Sequence, residues 1–264
     1  MGDRIHEGAY RLTWSDEFDG APGTAADSGT WQAETGGSGW GNQELQYYTD
    51  EPGNAALDGA GNLALVVRRV NPELARRRYG GCGYTSARLI TRDRVSFRYG
   101  LIQARIKIPR ARGIWPAFWM LGQDIGQSGW PGCGEIDVME HFGTGPATVH
   151  GTVHGPGYSG PGGISASCAV GPSLGRGFHV YSVAWDPGKI FWYVNDELYH
   201  TVTPADLNGK PWVFDHDFFL LVNIAVGGTA SVPPGKSVTF PQTMLIDYVR
   251  LYEPAAGRSA GNSD

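Results

Sequence analysis

The sequence has few charged residues, no basic stripe and no long apolar run. Charged residues make up 18% of the 264 residues and the net charge is -5. Nucleic acid and anionic membranes need clustered Lys and Arg, so neither is expected as a partner. The one basic cluster, Arg76 to Arg78, is predicted to lie in a short solvated loop. No apolar stretch approaches the ~20 residues of a membrane-spanning helix.

Cysteine is also scarce. Cys82, Cys133 and Cys168 are too few for a disulfide scaffold, and their spacing matches no zinc motif. One disulfide with one free thiol stays open, and the sequence does not select the pair. No signal peptide is visible, and Gly2-Asp3-Arg4 after Met1 looks like a start placed on a mature protein. We expect an extracellular protein.

Glycine and aromatic residues are abundant, with 40 Gly, nine Trp and twelve Tyr. This composition argues against long helices and against disorder. The length suits one all-β domain, which we expect over residues 1–254, followed by a flexible tail at 255–264. We expect the protein to be a monomer.

Apolar and polar residues alternate with the period of two that is typical of strands. The pattern predicts about a dozen strands and no helix of two clear turns, with a hairpin turn at Asn195-Asp196. Two packed antiparallel sheets, an all-β sandwich, are the architecture that follows. The clearest predicted strands cover residues 62–69, 84–91, 102–108, 115–121, 147–154, 178–185, 190–194, 197–202, 218–226 and 244–251.

The segment 134–142, Gly-Glu-Ile-Asp-Val-Met-Glu-His-Phe, is the most informative one. In a regular strand Glu135 and Asp137 share a face, whereas Glu140 would point into the core. A buried unpaired glutamate is costly. A β-bulge near Val138-Met139 would return Glu140 to the face of Glu135, and bulges are frequent beside active sites.

Three carboxylates on one short ridge repel one another, so at least one pKa should rise. A carboxyl group that keeps its proton near neutral pH, beside one that is ionised, is the arrangement that glycoside hydrolysis uses. The alternatives are a solvated acidic edge, which the apolar flanking residues disfavour, and a calcium site, which also needs carbonyl and water ligands.

Motifs over most of the chain resemble glycoside hydrolase family 16, in particular the bacterial laminarinase type, the endo-1,3-β-glucanases. The run Glu-Ile-Asp-Val-Met-Glu is similar to the bulged active-site strand of that family. The other matching segments are Trp14 to Asp19, Trp40 to Tyr48, Trp115 to Leu121 and Leu221 to Gly228.

The resemblance implies a jelly-roll sandwich with a substrate cleft across its concave sheet, and a retaining mechanism that uses no cofactor for catalysis. It implies that Glu135 is the nucleophile, that Glu140 is the general acid/base and that Asp137 tunes their protonation. The extra residue Met139 favours a 1,3-linked β-glucan as substrate, although agar and carrageenan hydrolases share the bulge.

The predicted substrate-binding residues include Trp115 and Trp119, which share one strand face with Ala117. Flat indole rings suit the C–H faces of sugars, and we interpret Pro116 and Ala117 as signs of an exposed edge rather than of core packing. The resemblance adds further expected cleft residues, namely Trp40, Asn42, Glu44, Arg88, His154 and Asn223.

His150 and His154 are four residues apart, which on a helix would suggest a metal-binding pair. Their β-branched neighbours predict a strand instead, with both histidines on one polar face. The resemblance places His154 near the catalytic carboxylates. We interpret His150 as a hydrogen-bonded scaffold residue.

Asp247 lies within the last predicted strand, where Leu245, Val249 and Leu251 share its face. A buried carboxylate needs hydrogen bonds or a cation, and backbone hydrogen bonding is one solution. The resemblance implies another, a structural Ca²⁺ held by the Asp247 side chain and by backbone carbonyls near Glu17 and Gly61.

Three functions remain in competition at the level of sequence. The first is a retaining endo-1,3-β-glucanase. The second is a hydrolase of the same fold that cuts mixed-linkage β-1,3-1,4-glucan or a galactan. The third is a non-catalytic lectin, which needs sugar platforms but no paired acids. The presence of both Glu135 and Glu140 favours an enzyme that acts on β-glucan polysaccharide.

Overall fold

The computed structural model describes residues 10–145 and 147–255, which contain eighteen strands, two short α-helices and three 3₁₀ turns. The predicted tail lies, apart from Ala255, outside these residues. The helices are α1 (Pro72–Arg78) and α2 (Ile125–Ser128). The strands are β1 (Tyr10–Asp16), β2 (Gln32–Ala33), β3 (Gln46–Tyr48), β4 (Ala55–Leu57), β5 (Leu63–Arg69), β6 (Tyr84–Ser86), β7 (Arg88–Ile90), β8 (Ser96–Phe97), β9 (Gly100–Lys107), β10 (Ile114–Gly122), β11 (Glu135–Glu140), β12 (Thr148–His154), β13 (Ile164–Ala169), β14 (His179–Asp186), β15 (Lys189–Val194), β16 (Glu197–Val202), β17 (Phe218–Val226) and β18 (Gln242–Pro254).

The strands form two sheets. The ten-stranded sheet has the order β16-β15-β14-β9-β18-β5-β6-β3, with β1 paired to β18 and β4 paired to β5. The eight-stranded sheet has the order β13-β12-β11-β10-β17-β7-β2, with β8 paired to β17. All pairs are antiparallel except β3 with β6. The predicted all-β, two-sheet sandwich is therefore confirmed.

One large hydrophobic cluster fills the space between the sheets. In β9 the alternate residues Ile102, Ala104 and Ile106 belong to it, as the period of two predicts. In the eight-stranded sheet, Phe118 and Ile136 enter the same cluster. Their strand neighbours point to the opposite face, and that outer face carries the candidate site.

The hairpin predicted at Asn195-Asp196 is confirmed. Both residues have positive φ, 51° and 65°, and the flanking Val194 and Glu197 pair with each other. Two positive φ values in a two-residue turn match the twist of the strands on either side, and Asn and Asp tolerate them better than most residues.

Two local predictions are wrong. The single strand expected over 84–91 is two strands, β6 in the ten-stranded sheet and β7 in the other, because the chain changes sheet at the buried Ala87. The arginine cluster is not in a loop but ends α1. The Asn71 side chain caps that helix, and Glu73 pairs with Arg77 at 3.0 Å. Basic side chains at a helix C-terminus are favoured by the helix dipole.

The three cysteines are free thiols, and Cys133 is buried. No disulfide therefore joins them in the described part of the chain. Within the same residues, the structure contains no helix that is long and apolar enough to cross a membrane.

Candidate active site

The bulge predicted in the carboxylate strand is present. Against β10, Met139 pairs with Phe118 and Asp137 pairs with Trp119, so Val138 has no partner of its own. Val138 and Met139 both enter the core cluster. The extra residue reverses the alternation after Asp137 and returns Glu140 to the outer face.

The three carboxylates of β11 lie among different neighbours. Glu135 accepts a hydrogen bond of 2.7 Å from the indole N–H of Trp130. Glu140 accepts one of 3.0 Å from the indole N–H of Trp115. Asp137 is 2% exposed, and its Oδ2 lies 3.3 Å from Nε2 of His154. The two glutamates can therefore take different roles although they share a strand face.

Burial is the main cause of the perturbed protonation of this group, because it penalises the charged form. It raises the pKa of Glu135 to about 8 and that of Asp137 to about 7. It also raises the pKa of Glu140 well above its usual value, and the charges of Asp137 and Glu135 act in the same direction. A carboxyl group that can hold a proton at neutral pH is therefore present.

Strand β10 supplies the floor beside the carboxylates. Trp115 and Trp119 lie on its outer face with Ala117 between them, and Ala117 pairs directly with Glu140. The expectation of an exposed edge is wrong, because β10 lies between β11 and β17 and Pro116 is buried. Pro116 has no N–H to donate to a neighbouring strand. It lies opposite the end of β11, where its carbonyl accepts a hydrogen bond from the N–H of His141.

Arg88 lies between two indole rings. Its Cζ is 4.8 Å from the ring centre of Trp40 and 4.8 Å from that of Trp119. Its Nε donates a hydrogen bond of 2.5 Å to Glu34. Arg88 therefore makes cation–π contacts with both indoles and links Trp40 to Trp119.

Asn223 connects Trp119 to a buried polar group. Its Oδ1 accepts from the Trp119 indole at 2.7 Å, and its Nδ2 donates to the hydroxyl of Tyr48 at 3.0 Å. Tyr48 is fully buried and donates in turn to Glu44. The orientation of the Trp119 ring is therefore set by hydrogen bonds as well as by packing.

Glu44 is the carboxylic acid in the hydrogen-bonded group that contains Asn223 and Tyr48. Asn42 and Gln46 both donate to its carboxylate, at 3.2 and 2.5 Å. Burial nevertheless raises the pKa of Glu44 above its usual value. The structure thus brings Asn42, Glu44 and Asn223 together, beside the indole that Arg88 contacts.

The two predicted histidines lie on the outer face of β12. His154 is directly opposite Glu135, and His150 is directly opposite Glu140. The ring of His150 packs on that of Phe142 at 4.7 Å, and burial lowers the pKa of His150. His154 is placed as predicted, close to both Glu135 and Asp137.

Three further residues of the site were not among the predicted ones, and only Trp130 has a signal in the sequence. Trp130 is 50% exposed in the loop before β11, and its isolated indole between Gly129 and Pro131 was such a signal. Trp192 donates to the backbone carbonyl of Asp137 from below, at 2.8 Å. Glu34, the partner of Arg88, has no local pattern that would identify it.

The expectation of a buried Asp247 is wrong. Met244, Ile246, Val249 and Leu251 enter the core, and a register shift between Ile246 and Tyr248 turns Asp247 to the other side of β18. There its carboxylate pairs with Arg105. Glu17, another predicted metal residue, pairs with Arg250 at 2.8 Å.

The chain matches the family model of glycosyl hydrolases family 16 over residues 30–250. It is 42% identical over 254 residues to a β-glucanase of Rhodothermus marinus, with 92% of this chain and 85% of that protein covered.

Two solved structures are also similar. The laminarinase catalytic domain of Thermotoga maritima has a TM-score of 0.85 at 43% identity, covering 92% of this chain and 98% of that one. The endo-β-1,3-glucanase of Pyrococcus furiosus has a TM-score of 0.87 at 40% identity, covering 97% and 100%. With this fold, and with a carboxylate-bearing strand in the matched region, the chain belongs to family 16 of the glycosyl hydrolases.

Proposed function

We propose that the protein cuts internal β-1,3-glucosidic bonds of laminarin-type glucans with retention of configuration. The family and the β-1,3-glucanases to which the chain is similar support this activity. The single observation that carries it is the bulged strand β11, which presents Glu135 and Glu140 on one outer face beside the indoles of β10. A retaining glycosidase needs such a pair of carboxyl groups.

In the proposed mechanism Glu135 attacks the anomeric carbon from the face opposite the leaving sugar. Glu140 gives its proton to the glycosidic oxygen, and later takes a proton from the water that releases the glycosyl-enzyme. Burial raises the pKa of both residues. Beyond that, Glu140 faces the negative charges of Asp137 and Glu135, which favours its protonated form at the start of the cycle.

The ionised form of Glu135 is favoured by its other neighbours. The indole N–H of Trp130 donates to it, and the charges of His154 and Arg88 lower its pKa, against the effect of Asp137. The nucleophile is thus oriented through Oε2, which leaves Oε1 free to approach the sugar.

Substrate binding is assigned to the outer face of the eight-stranded sheet. Trp115 and Trp119 offer apolar faces for sugar rings. Polar atoms next to the two indoles come from Asn42, Glu44 and Asn223. The same side of the face also contains Arg88 and Trp40. His154 lies at the Glu135 end. An open strand face, rather than a closed pocket, admits a polymer in its middle.

The test is digestion of laminarin, barley glucan, lichenan and agarose with identification of the products. We expect laminarin to be cut internally, with oligosaccharides appearing before glucose dominates. Glucose as the sole early product would refute endo action. Cleavage restricted to the 1,4-bonds of barley glucan would reject the assignment of 1,3-linked glucan as substrate. Binding of laminarin without cleavage would favour the non-catalytic lectin instead.

We also propose that the protein acts outside the cell as a monomer. The support is chemical, because a β-glucan polymer does not cross a membrane and the enzyme must meet it where it is. A single elution volume matching 28.4 kDa would support the monomer. A stable dimer at working concentration would reject it.

A structural Ca²⁺ near Asp247 belongs to this proposal as well. The end of β1 at Asp16 pairs with Val249, and the start of β5 at Leu63 pairs with Ile246, so the backbone near Glu17 and Gly61 converges on Asp247. Backbone carbonyls and one carboxylate are suitable calcium ligands. The Asp247 carboxylate would have to leave Arg105 to join them. Such an ion would serve stability and take no part in the chemistry.

A further inference from the structure

Glu135, Asp137 and His154 form a cluster whose geometry suits a second role besides hydrolysis. One ligand atom from each lies within 4.8 Å of the other two, and among the described residues no other group of three such side chains is as close. His154 is opposite Glu135 in the register of β11 and β12. The three side chains therefore converge on one point from two adjacent strands.

Asp137 supplies an independent observation that points to a ligand. The residue is 2% exposed, and its buried Oδ2 makes no hydrogen bond of acceptable geometry. The Nε2 of His154 is 3.3 Å away but does not meet that geometry either. An unsatisfied buried carboxylate oxygen is costly, so this oxygen calls for a cation or a donor in front of it.

The spacing fits a small tetrahedral cation. With Zn–N and Zn–O bonds of about 2.0–2.2 Å, neighbouring ligand atoms in a tetrahedron are about 3.3–3.6 Å apart. Asp137 Oδ2 and His154 Nε2 already have that separation. Glu135 Oε1 is 3.8 Å from His154 Nε2, and a small side-chain rotation would close the difference.

The donor set selects the class of metal. Imidazole suits Zn²⁺, Cu²⁺ and Ni²⁺, whereas Ca²⁺ and Mg²⁺ prefer oxygen alone. One imidazole and two carboxylates leave a fourth position open toward the cleft. Glu135 retains the Trp130 hydrogen bond on Oε2, which holds Oε1 toward the ion.

We propose that Glu135, Asp137 and His154 bind one divalent transition-metal ion, represented by Zn²⁺, in place of substrate. The bound ion occupies the oxygen that attacks the sugar and therefore inhibits the enzyme reversibly. Only the inhibition rests on the proposed function; the binding of the ion does not. This site is on the eight-stranded sheet, whereas the proposed calcium site is on the ten-stranded one.

The test is calorimetric titration of Zn²⁺ into the protein in the presence of excess Ca²⁺, which keeps the Asp247 region out of the measurement. The wild type should bind one ion. His154→Gln should bind it more than about tenfold more weakly, since even the loss of an outer-shell partner costs about 10–100-fold in metal affinity. The matched control is His216→Gln, because His216 lies 3.1 Å from Asp124 outside this cluster.

Equal Zn²⁺ affinity in the wild type and in folded His154→Gln would overturn the proposal, since the ion would then be held elsewhere, for example by thiols. No binding by the wild type at millimolar Zn²⁺ would also overturn it. If His154→Gln does not fold, Glu135→Gln replaces it, and the same weakening is expected.

Kinetics separate the metal site from the proposed function. In laminarin hydrolysis, Zn²⁺ should raise KM without changing kcat, and dilution should restore activity. A purely noncompetitive effect would overturn the assignment of the ion to the cleft. His154-dependent Zn²⁺ binding in a protein that cuts no β-glucan would leave the metal site standing and reject the hydrolase.

Discussion

Two glutamates on one strand face are distinguished by the indoles that contact them. Trp130 donates to Glu135 from the loop before β11, and Trp115 donates to Glu140 from the neighbouring strand β10. Each carboxylate is therefore held in place by one hydrogen bond, which leaves its second oxygen available for chemistry.

The roles of the two glutamates can be separated with azide and an activated aryl β-glucan oligosaccharide. Glu135→Gly leaves a hole on the attacked face, where azide can attack directly and give an α-glycosyl azide. Glu140→Ala keeps the nucleophile, so the glycosyl-enzyme forms and azide releases it as a β-glycosyl azide. Proton NMR distinguishes the anomers. The same anomer from both variants, or the reverse assignment, would contradict the proposed roles.

Trp130 should affect the pH profile through its N–H group. Trp130→Phe removes a donor to the ionised Glu135, so the pKa of Glu135 should rise. A hydrogen bond to a charged group is worth about 1.5–3 kcal/mol, equivalent to about 1–2 pKa units. The acidic limb of kcat/KM should therefore move to higher pH, measured on an activated substrate.

The control for Trp130 is Trp212→Phe, which removes a similar indole–carboxylate hydrogen bond, 3.0 Å long, to Asp215. Neither Trp212 nor Asp215 contributes to the pKa of Glu135, so the profile should not move. An unchanged profile in Trp130→Phe, with KM alone raised, would make Trp130 a sugar platform with no influence on the nucleophile.

At the scale of the element, the bulge in β11 is the feature that was best anticipated from sequence. Alternation alone would have buried Glu140, and the cost of burying it predicted the irregularity. Residues whose position follows from alternation on β10, β11 and β12 were therefore predictable. Glu34 and Trp130 could not be predicted in this way. Glu34 directly follows the short edge strand β2 and Trp130 lies in a loop, and neither segment has a strand periodicity.

The wrong expectations have the same origin. The strand 84–91 has a continuous β pattern, and only tertiary packing moves the chain from one sheet to the other at Ala87. For Asp247, the register shift beside Tyr248 reversed the faces of β18, as the bulge does in β11. In β18 the predicted burial of Asp247 was the same kind of signal, but hydrogen bonds or a cation were equally good solutions for it, and the structure instead places Asp247 beside Arg105 on the outer side.

Deletion of Met139 tests the bulge. Regular alternation would keep Glu140 on the outer face but move it by about 3.3 Å along the strand. Because even small misplacements of a catalytic group are costly, laminarin hydrolysis should fall by more than about tenfold. The loss of a fully buried Met side chain should also lower stability by roughly 2–5 kcal/mol, measured by denaturant unfolding.

The matched control is Met139→Leu, which keeps the residue count and the volume and should cost less than about 1.5 kcal/mol. Its activity on laminarin should stay near that of the wild type. If the folded deletion variant were as active on laminarin as Met139→Leu, the bulge would have no role in placing the acid/base.

At the scale of the whole molecule, the proposed calcium ion would link β1, β5 and β18 of the ten-stranded sheet. A ligand that binds only the folded state stabilises it by mass action. Exhaustive chelation should therefore lower Tm, while activity at a temperature where both forms are folded should change little. An unchanged Tm after chelation of a sample shown to contain calcium would reject the site.

Ionisation of the buried Glu135 should destabilise the folded state at alkaline pH. Glu135 has an ordinary pKa of 4.5 and a folded pKa of about 8, so between these values the folded state binds more protons than the unfolded state. Stability therefore falls as pH rises through this window. Below about pH 4.5 both states are protonated and the cost vanishes. Above about pH 8 it is fully present.

Glu135→Gln removes that cost, because the amide is uncharged and its oxygen can still accept from Trp130. Each pKa unit corresponds to about 1.4 kcal/mol, and each kcal/mol shifts Tm by about 2–4 °C in a chain of this size. The variant should therefore exceed the wild type in Tm by about 10 °C or more above pH 8 and match it below pH 4.5. Glu73→Gln on the exposed face of α1 is the control and should follow the wild type. Parallel Tm curves for Glu135→Gln and the wild type across pH would contradict a buried, destabilising charge at the site.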